Sequence, residues 1–231
     1  MANLIERLIH KCKSYLVKPH GVIPLTYIAQ FLPPNPVVVE AGAHVGFDTV
    51  AMSRRWPDGH IHAVEPVPEL FEQLSARVAR RHNVTCYPVA LGVAVGAAKL
   101  YVSGGASDAS SSLSRPKQHL ADHPDVTFPK EIAIETTTLD AWAKASHVSH
   151  VDLLWLDLQG HELEAIRSAP GILETVRAIY TEVYLKESYE GVPLYAEVRE
   201  YLQHRGFRVQ REELPWHDAG NVLFVRQDGM S

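Results

Sequence analysis

The run Val37-Val38-Val39-Glu40-Ala41-Gly42-Ala43-His44-Val45-Gly46-Phe47 constrains the chain more than any other stretch. It follows a turn signal, Pro33-Pro34-Asn35-Pro36, and its three β-branched residues predict a short buried strand. Asp48 to Arg55 reads as a helix. Between strand and helix lies E-x-G-x-x-x-G. A strand that turns through glycines into a helix is the repeating unit of open parallel sheets, and ligands bind at that turn, outside the carboxyl ends of the strands. Glycines there let the backbone approach a ligand closely.

The dinucleotide fingerprint G-x-G-x-x-G asks for a middle glycine, and His44 stands in its place. A bulky ring would obstruct a pyrophosphate, and Glu40 would set a carboxylate near it. A nicotinamide-dependent reductase is therefore the weaker enzyme reading. A carboxylate suits a cationic or amino-bearing ligand such as S-adenosylmethionine. The crevice expected to hold it comprises Glu40, Gly42, Ala43, His44, Gly46, Glu65, Pro66, Val67, Ala90 and Leu91, together with Asp157. Glu65 ends the second predicted strand, HIHAVEP, nineteen residues after Gly46. An acid at that spacing accepts both hydroxyls of a ribose.

The same alternation continues along the chain. Residues 69–81 read as a helix, 84–91 as a third strand, 138–145 as a helix, 151–158 as a strongly buried strand and 161–168 as a helix ending near Pro170-Gly171. Residues 178–185 are a further strand and 194–205 a helix closed by Gly206; FRVQREEL and NVLFVRQ are two closing strands, expected to pair antiparallel at a sheet edge. This is α/β, with helices on both faces of a mostly parallel sheet. With 231 residues, 46% hydrophobic and 21% charged, it reads as one domain. Residues 92–136 interrupt the rhythm with inserted strands around SGGASDASSSLS at 103–114, a composition that buries little. That loop is expected to move without ligand and to close over the site.

The formal charge of −5, without a basic stripe, argues against nucleic acid. No apolar run approaches the ~18 residues of a membrane span. Residues 4–16 form an amphipathic pattern, read as a helix covering one side of the domain within a 1–30 N-terminal cover; its alternative roles are a homodimer contact or a pocket wall. Charges within MANLIERLIHKCKSYLV leave no signal-peptide core, and Cys12 and Cys86 form no CxxC pair, so a reduced cytoplasmic setting is expected.

The apolar strand LLWL delivers Asp157 at its end, and Gly160 turns the chain into a helix at His161 and Glu162. Asp152 falls at that strand's entrance, outside the site. Glu182 lies inside the apolar run AIYTEVYL and needs a partner or a site. Asp157, His161 and Glu182 are the candidate bases. His60 and His62 share one side of their strand, but no third ligand accompanies them, and no metal is expected.

VVVEAGAHVGFDT, AVEPVPELFEQL, SDASSSL, TTTLDAW, LWLDLQGHELEAI and YTEVYL…YAEVREYLQHRGF together resemble the FkbM-type methyltransferases, over roughly residues 36–209. The resemblance implies a Rossmann-like class I methyltransferase sheet with an antiparallel last strand. It implies S-adenosylmethionine as methyl donor and a hydroxyl of a sugar, glycoconjugate or natural product as acceptor. The chain departs from the family at His44, where Asn is frequent, and at Gln159, where many members have Glu. A methyltransferase-like binding protein without activity is the non-enzyme alternative.

Overall fold

The computed structural model describes residues 22–227. The helix expected over 4–16 lies outside them. Of the N-terminal cover, Leu25–Ile28 form a short helix, α1, which tightens into a 3-10 turn at Ala29–Phe31.

The central sheet contains β1 (Val37–Ala41), β2 (His60–Val64), β3 (Val84–Tyr87), β7 (Leu153–Leu156), β8 (Ala178–Tyr184), β9 (Phe207–Glu213) and β10 (Ala219–Arg226). Their order is β3-β2-β1-β7-β8-β10-β9. Neighbours from β3 through β8 are parallel, and β10 runs antiparallel to both β8 and β9. The closing pair is thus antiparallel as expected, but β10 inserts beside β8 and leaves β9 at the edge.

Helices α2 (Phe47–Arg55) and α3 (Pro68–Val78) lie with α1 towards one face. The α1 residue Ile28 and Met52 of α2 share a buried cluster with Val38, Leu153 and Trp155. Helices α5 (Leu139–Ala145), α6 (Glu162–Arg167), α7 (Pro170–Leu173) and α8 (Tyr195–His204) cover the other face, packing on Val39, Ala41, Leu154 and Leu156. Successive residues of β1 and β7 feed opposite clusters, which explains why these strands are apolar throughout rather than alternating.

Two local readings change. The stretch 84–91 is not one strand. Pro88 has no N–H for a ladder, so β3 stops at Tyr87, and β4 (Ala90–Leu91) joins a second sheet, ordered β4-β6-β5, with β5 (Gly96–Gly105) and β6 (Val126–Thr137). Pro170-Gly171 does not merely end a helix. Pro170 opens α7, where its missing N–H costs nothing, and the Asp140 carboxylate accepts the N–H groups of Gly171 (2.8 Å) and Ile172 (2.9 Å). The second sheet and α4 (His119–Asp122) sit beside the carboxyl ends of the central strands.

At the opposite end, Asp152 lies at the entrance of β7, as expected. Its Oδ2 accepts the Val37 N–H at 2.9 Å and its Oδ1 accepts Arg177 Nε at 3.1 Å, tying the starts of β1 and β8 together. Asp152→Ala orphans a strand N–H and should cost about 1–3 kcal/mol, read as a lower denaturation midpoint with no change in ligand binding.

Candidate functional site

The turn after β1 wraps around β2. The N–H groups of Gly42 and Ala43 both donate to the Val64 carbonyl at 3.0 Å. The site begins where this turn faces the end of β7. A Cβ on Gly42 would lie 1.9 Å from the Asp157 carbonyl oxygen, and Gly42 has φ +85°. A Cβ on Gly46 would meet Leu74 of α3 at 2.6 Å. Gly42 is therefore required first by the protein's own packing, and Gly46 by its left-handed backbone, φ +82°.

A cleft opens beside this turn, lined by Gly42, His44, Glu65, Asp157 and His161 among others, and by Pro66, Val67, Ala90 and Leu91. Nine of the sequence-derived positions thus share one cleft. Ala43 is buried instead with Leu74 and Val78. Glu40 is buried and accepts a hydrogen bond from Thr49 Oγ1 at 2.5 Å, so its carboxylate braces α2 and does not line the cleft. Burial, then the nearby Asp48 charge, pushes its pKa well up.

Glu65 holds the cleft's shape. One oxygen accepts the His44 N–H at 2.8 Å, the other the Val67 N–H at 2.8 Å. Its pKa is raised, burial outweighing those two bonds. His44 itself has φ +50°, and its Nε2 lies 3.1 Å from Asp108 Oδ1 in the Ser-rich segment. That segment is folded over the cleft. Ser112 Oγ donates to the Gln159 carbonyl at 2.7 Å, and Ser103 and Ser111 bond across it at 3.0 Å. Its serines anchor it by hydrogen bonds, alongside Leu113, which packs against the cluster of Val45, Val67 and Leu100.

Asp157 faces the open cleft, with protein on its other sides raising its pKa by loss of solvation. His161 lines the same cleft; its buried Nδ1 has no hydrogen-bond partner among the described residues, and burial lowers its pKa. Glu182 lies elsewhere. It lines an adjoining recess with His123, Tyr184, Tyr189, Trp216 and Asp218. Its pKa is pushed well up by burial, then by the charges of Asp157 and Glu162. Tyr184 donates a short hydrogen bond to its Oε2.

Sequence reasoning missed Glu162. It is buried, accepts the N–H groups of Leu158 (2.8 Å) and Gly160 (3.1 Å), and has a pKa raised to about 8, mainly by burial. Asp157, Glu162 and Glu182 each bring one oxygen within 4.8 Å of the others. The sequence offers only a helix start at Gly160-His161-Glu162 as its signal. The pair His60 and His62 serves packing: their rings lie 4.6 Å apart, and His62 Nδ1 is 3.0 Å from the Tyr87 hydroxyl.

A β3-β2-β1-β7-β8-β10-β9 sheet with a cleft at the carboxyl ends of β1, β2 and β7 defines a Rossmann-like methyltransferase fold. A family model described as methyltransferase FkbM domain matches residues 40–209, and the chain belongs to that family. The 2-O-methyltransferase NoeI of Sinorhizobium fredii is 31% identical over 169 residues, covering 71% of this chain and 70% of that protein. Methyltransferase sdnD of Sordaria araneosa is 25% identical over 207 residues, covering 80% and 78%. Among solved structures, methyltransferase FkbM from Methylobacillus flagellatus aligns with a TM-score of 0.58 at 13% identity over 89% of this chain. The chain spans about half the length of that protein, 48%. The N-terminal domain of EvdMO1, solved with SAH bound, aligns with a TM-score of 0.51 at 12% identity, covering 96% of this chain and 97% of that one.

Gly42→Ala forces a Cβ into the Asp157 carbonyl at a positive φ. Where the backbone permits it, Gly→Ala stabilises by about 0.4–1 kcal/mol; here it should destabilise the fold by more than that, measured by chemical denaturation, and an unchanged midpoint would show that the β1 and β7 ends can part freely.

Proposed function

We propose that this chain transfers the methyl group of S-adenosylmethionine to a hydroxyl oxygen of an uncharged, hydroxyl-rich acceptor, a sugar, glycoconjugate or natural product. The observation that carries the reading is a cleft and a recess that meet at Gln159, with Asp157 on one side and Glu182 on the other. The residues fit the donor. Among the described residues, neither cavity is lined by Lys or Arg, which suits a sulfonium and disfavours a pyrophosphate. Val64, Val67, Leu91, Leu100 and Leu158 offer an apolar wall for a base. The likeness to NoeI, a 2-O-methyltransferase, supports transfer to oxygen.

S-adenosylmethionine supplies a methyl group already activated on a positive sulfur, so the protein's work is alignment and proton removal. Glu65 would bind the ribose hydroxyls. Asp157 would face the sulfonium and the amino group. An acceptor hydroxyl in the recess would meet Glu182, whose raised pKa makes it a stronger base whenever it is ionised. His161 lines the donor side, which favours a contact to the donor over a role as base. The reading is tested with S-adenosylmethionine carrying a labelled methyl carbon and a panel of methyl glycosides. A new methoxy carbon resonance is expected; absence of both donor binding and transfer would refute it.

Glu65→Ala removes charge-assisted bonds worth roughly 1.5–3 kcal/mol each. Donor affinity should fall at least about tenfold, since 1.4 kcal/mol is one decade; unchanged affinity by calorimetry would remove Glu65 from the donor site.

The His44–Asp108 contact links the glycine turn to the Ser-rich segment across the cleft. Closure of that segment over the bound donor follows from the reading. Asp108→Ala should then release adenosylhomocysteine several-fold faster in stopped-flow measurements, with little effect on its association rate; an unchanged dissociation rate would leave the segment a fixed wall.

A further inference from the structure

One side chain belongs to both cavities. Gln159 lines the donor cleft and the acceptor recess, at the turn that follows β7. Its backbone has φ +51°, a left-handed conformation uncommon outside glycine, and Gly160 follows at φ +100°. This conformation is pinned, because the Gln159 carbonyl accepts Ser112 Oγ at 2.7 Å. The side-chain amide is pinned as well. Its Nε2 donates to Asp157 Oδ1 at 2.6 Å and to Glu182 Oε2 at 2.9 Å, and its Oε1 accepts the Tyr189 hydroxyl at 2.8 Å. With the oxygen held by Tyr189, both amide hydrogens are committed to the two acids.

We propose that Gln159 is a positioning residue, whose amide holds the donor-side carboxylate of Asp157 and the acceptor-side carboxylate of Glu182 in the mutual arrangement that methyl transfer requires. The inference rests on the proposed function. An amide is suited to this place by its charge. A lysine would neutralise the acids that face the sulfonium, and an ionised glutamate would repel both. A neutral side chain with two coplanar N–H donors bridges them and leaves their charge in place. Both the Gln159 and Tyr184 bonds fall on Glu182 Oε2, so the geometry assigns proton uptake to Oε1. In the transfer step, the acceptor oxygen forms its bond to the methyl carbon as the carbon–sulfur bond breaks. The bonding pair stays on sulfur, and the hydroxyl proton passes to Glu182.

The groups facing Glu182 are Asp157 and Gln159 from the turn after β7, Glu162 from α6, Tyr184 on its own strand, Tyr189 from the loop after β8, and Asp218 with its partner His123. Asp157, Glu162 and Asp218 raise its pKa, while donated hydrogen bonds lower it by favouring the ionised form. Loss of the Gln159 bond therefore moves the rising limb of the pH–rate profile to higher pH.

The test compares wild type, Gln159→Leu and Gln159→Glu. Adenosylhomocysteine affinity is measured by calorimetry and turnover with the methyl glycoside that wild type methylates fastest. Gln159→Leu should keep adenosylhomocysteine affinity within about threefold. Its turnover at saturation should fall at least about tenfold, part of the 10²–10⁴ that a general base supplies, with the limb shifted upward. Gln159→Glu, when protonated, keeps a single donor. It should exceed Gln159→Leu at low pH and lose that advantage as pH rises. The assignment is overturned if Gln159→Leu keeps wild-type turnover and limb, or if donor affinity falls as far as turnover, which marks a purely structural residue. Wild type that binds no adenosylhomocysteine, or methylates no glycoside in the panel, overturns the functional reading itself and this assignment with it.

Discussion

Glu40, Asp48, Glu65, Asp157, Glu162 and Glu182 are crowded at the carboxyl end of one sheet, and burial raises the pKa of every one. Removing like charges from water is costly unless donors surround them. Here the donors are neutral. Thr49 serves Glu40, two backbone N–H groups serve Glu65, two more serve Glu162, and Gln159 and Tyr184 serve Asp157 and Glu182. Among the described residues, none of the six pairs with Lys or Arg. Hydrogen bonds from neutral groups hold Glu40, Glu65, Asp157, Glu162 and Glu182 in place without committing a cation to them, so the charge each carries when ionised stays available to a ligand cation; Glu162, with its pKa raised to about 8, is mostly protonated at neutral pH.

The topology explains why the acids meet there. The chain runs from β1 outward to β2 and β3, then returns to β7 on the other side of β1. The strand order reverses between β1 and β7, which is the crevice where open α/β sheets take their ligands. The two strand ends are in direct contact, the Asp157 N–H donating to the Ala41 carbonyl at 3.0 Å. That approach explains Gly42 more directly than any ligand does. The inserted segment 92–136 supplies what the central sheet lacks. Its Ser-rich part roofs the cleft, and α4 walls the recess, with the Lys117 and His119 N–H groups bonded to the Ser188 carbonyl.

The sheet was legible because its signals are local. A β-branched run, a glycine turn and a helical period are each short and contiguous, and Val37 to Arg55 contains all three. The cleft was legible for the same reason, since strand ends are marked by Gly42, Glu65 and Asp157. The adjoining recess was not. Tyr189, Trp216, Asp218 and His123 come from three separate loops, and no spacing along the chain relates them. Glu40 misled because an acid at a strand end can turn towards the crevice or towards the following helix. Only the position of Thr49, nine residues on, decides between the two. At Gln159 the sequence marks only a departure from the family's frequent Glu; that it bridges two acids follows only once β8 lies beside β7.

Charge also changes hands during the proposed reaction. Before transfer, the acids face a positive sulfur. Afterwards the sulfur is neutral, and a proton has arrived from the acceptor hydroxyl. The cluster loses a cation and gains a proton, so the charge enclosed by the site is the same at both ends of the step. A buried carboxylate with a raised pKa is suited to that exchange, because it holds the proton once the sulfonium no longer opposes it. The neutral product is then held less strongly than the charged donor by the same acids, which favours its release. A site built on ion pairs would have spent that charge on its own cations. A neutral amide between Asp157 and Glu182 keeps the charge available to both halves of the site.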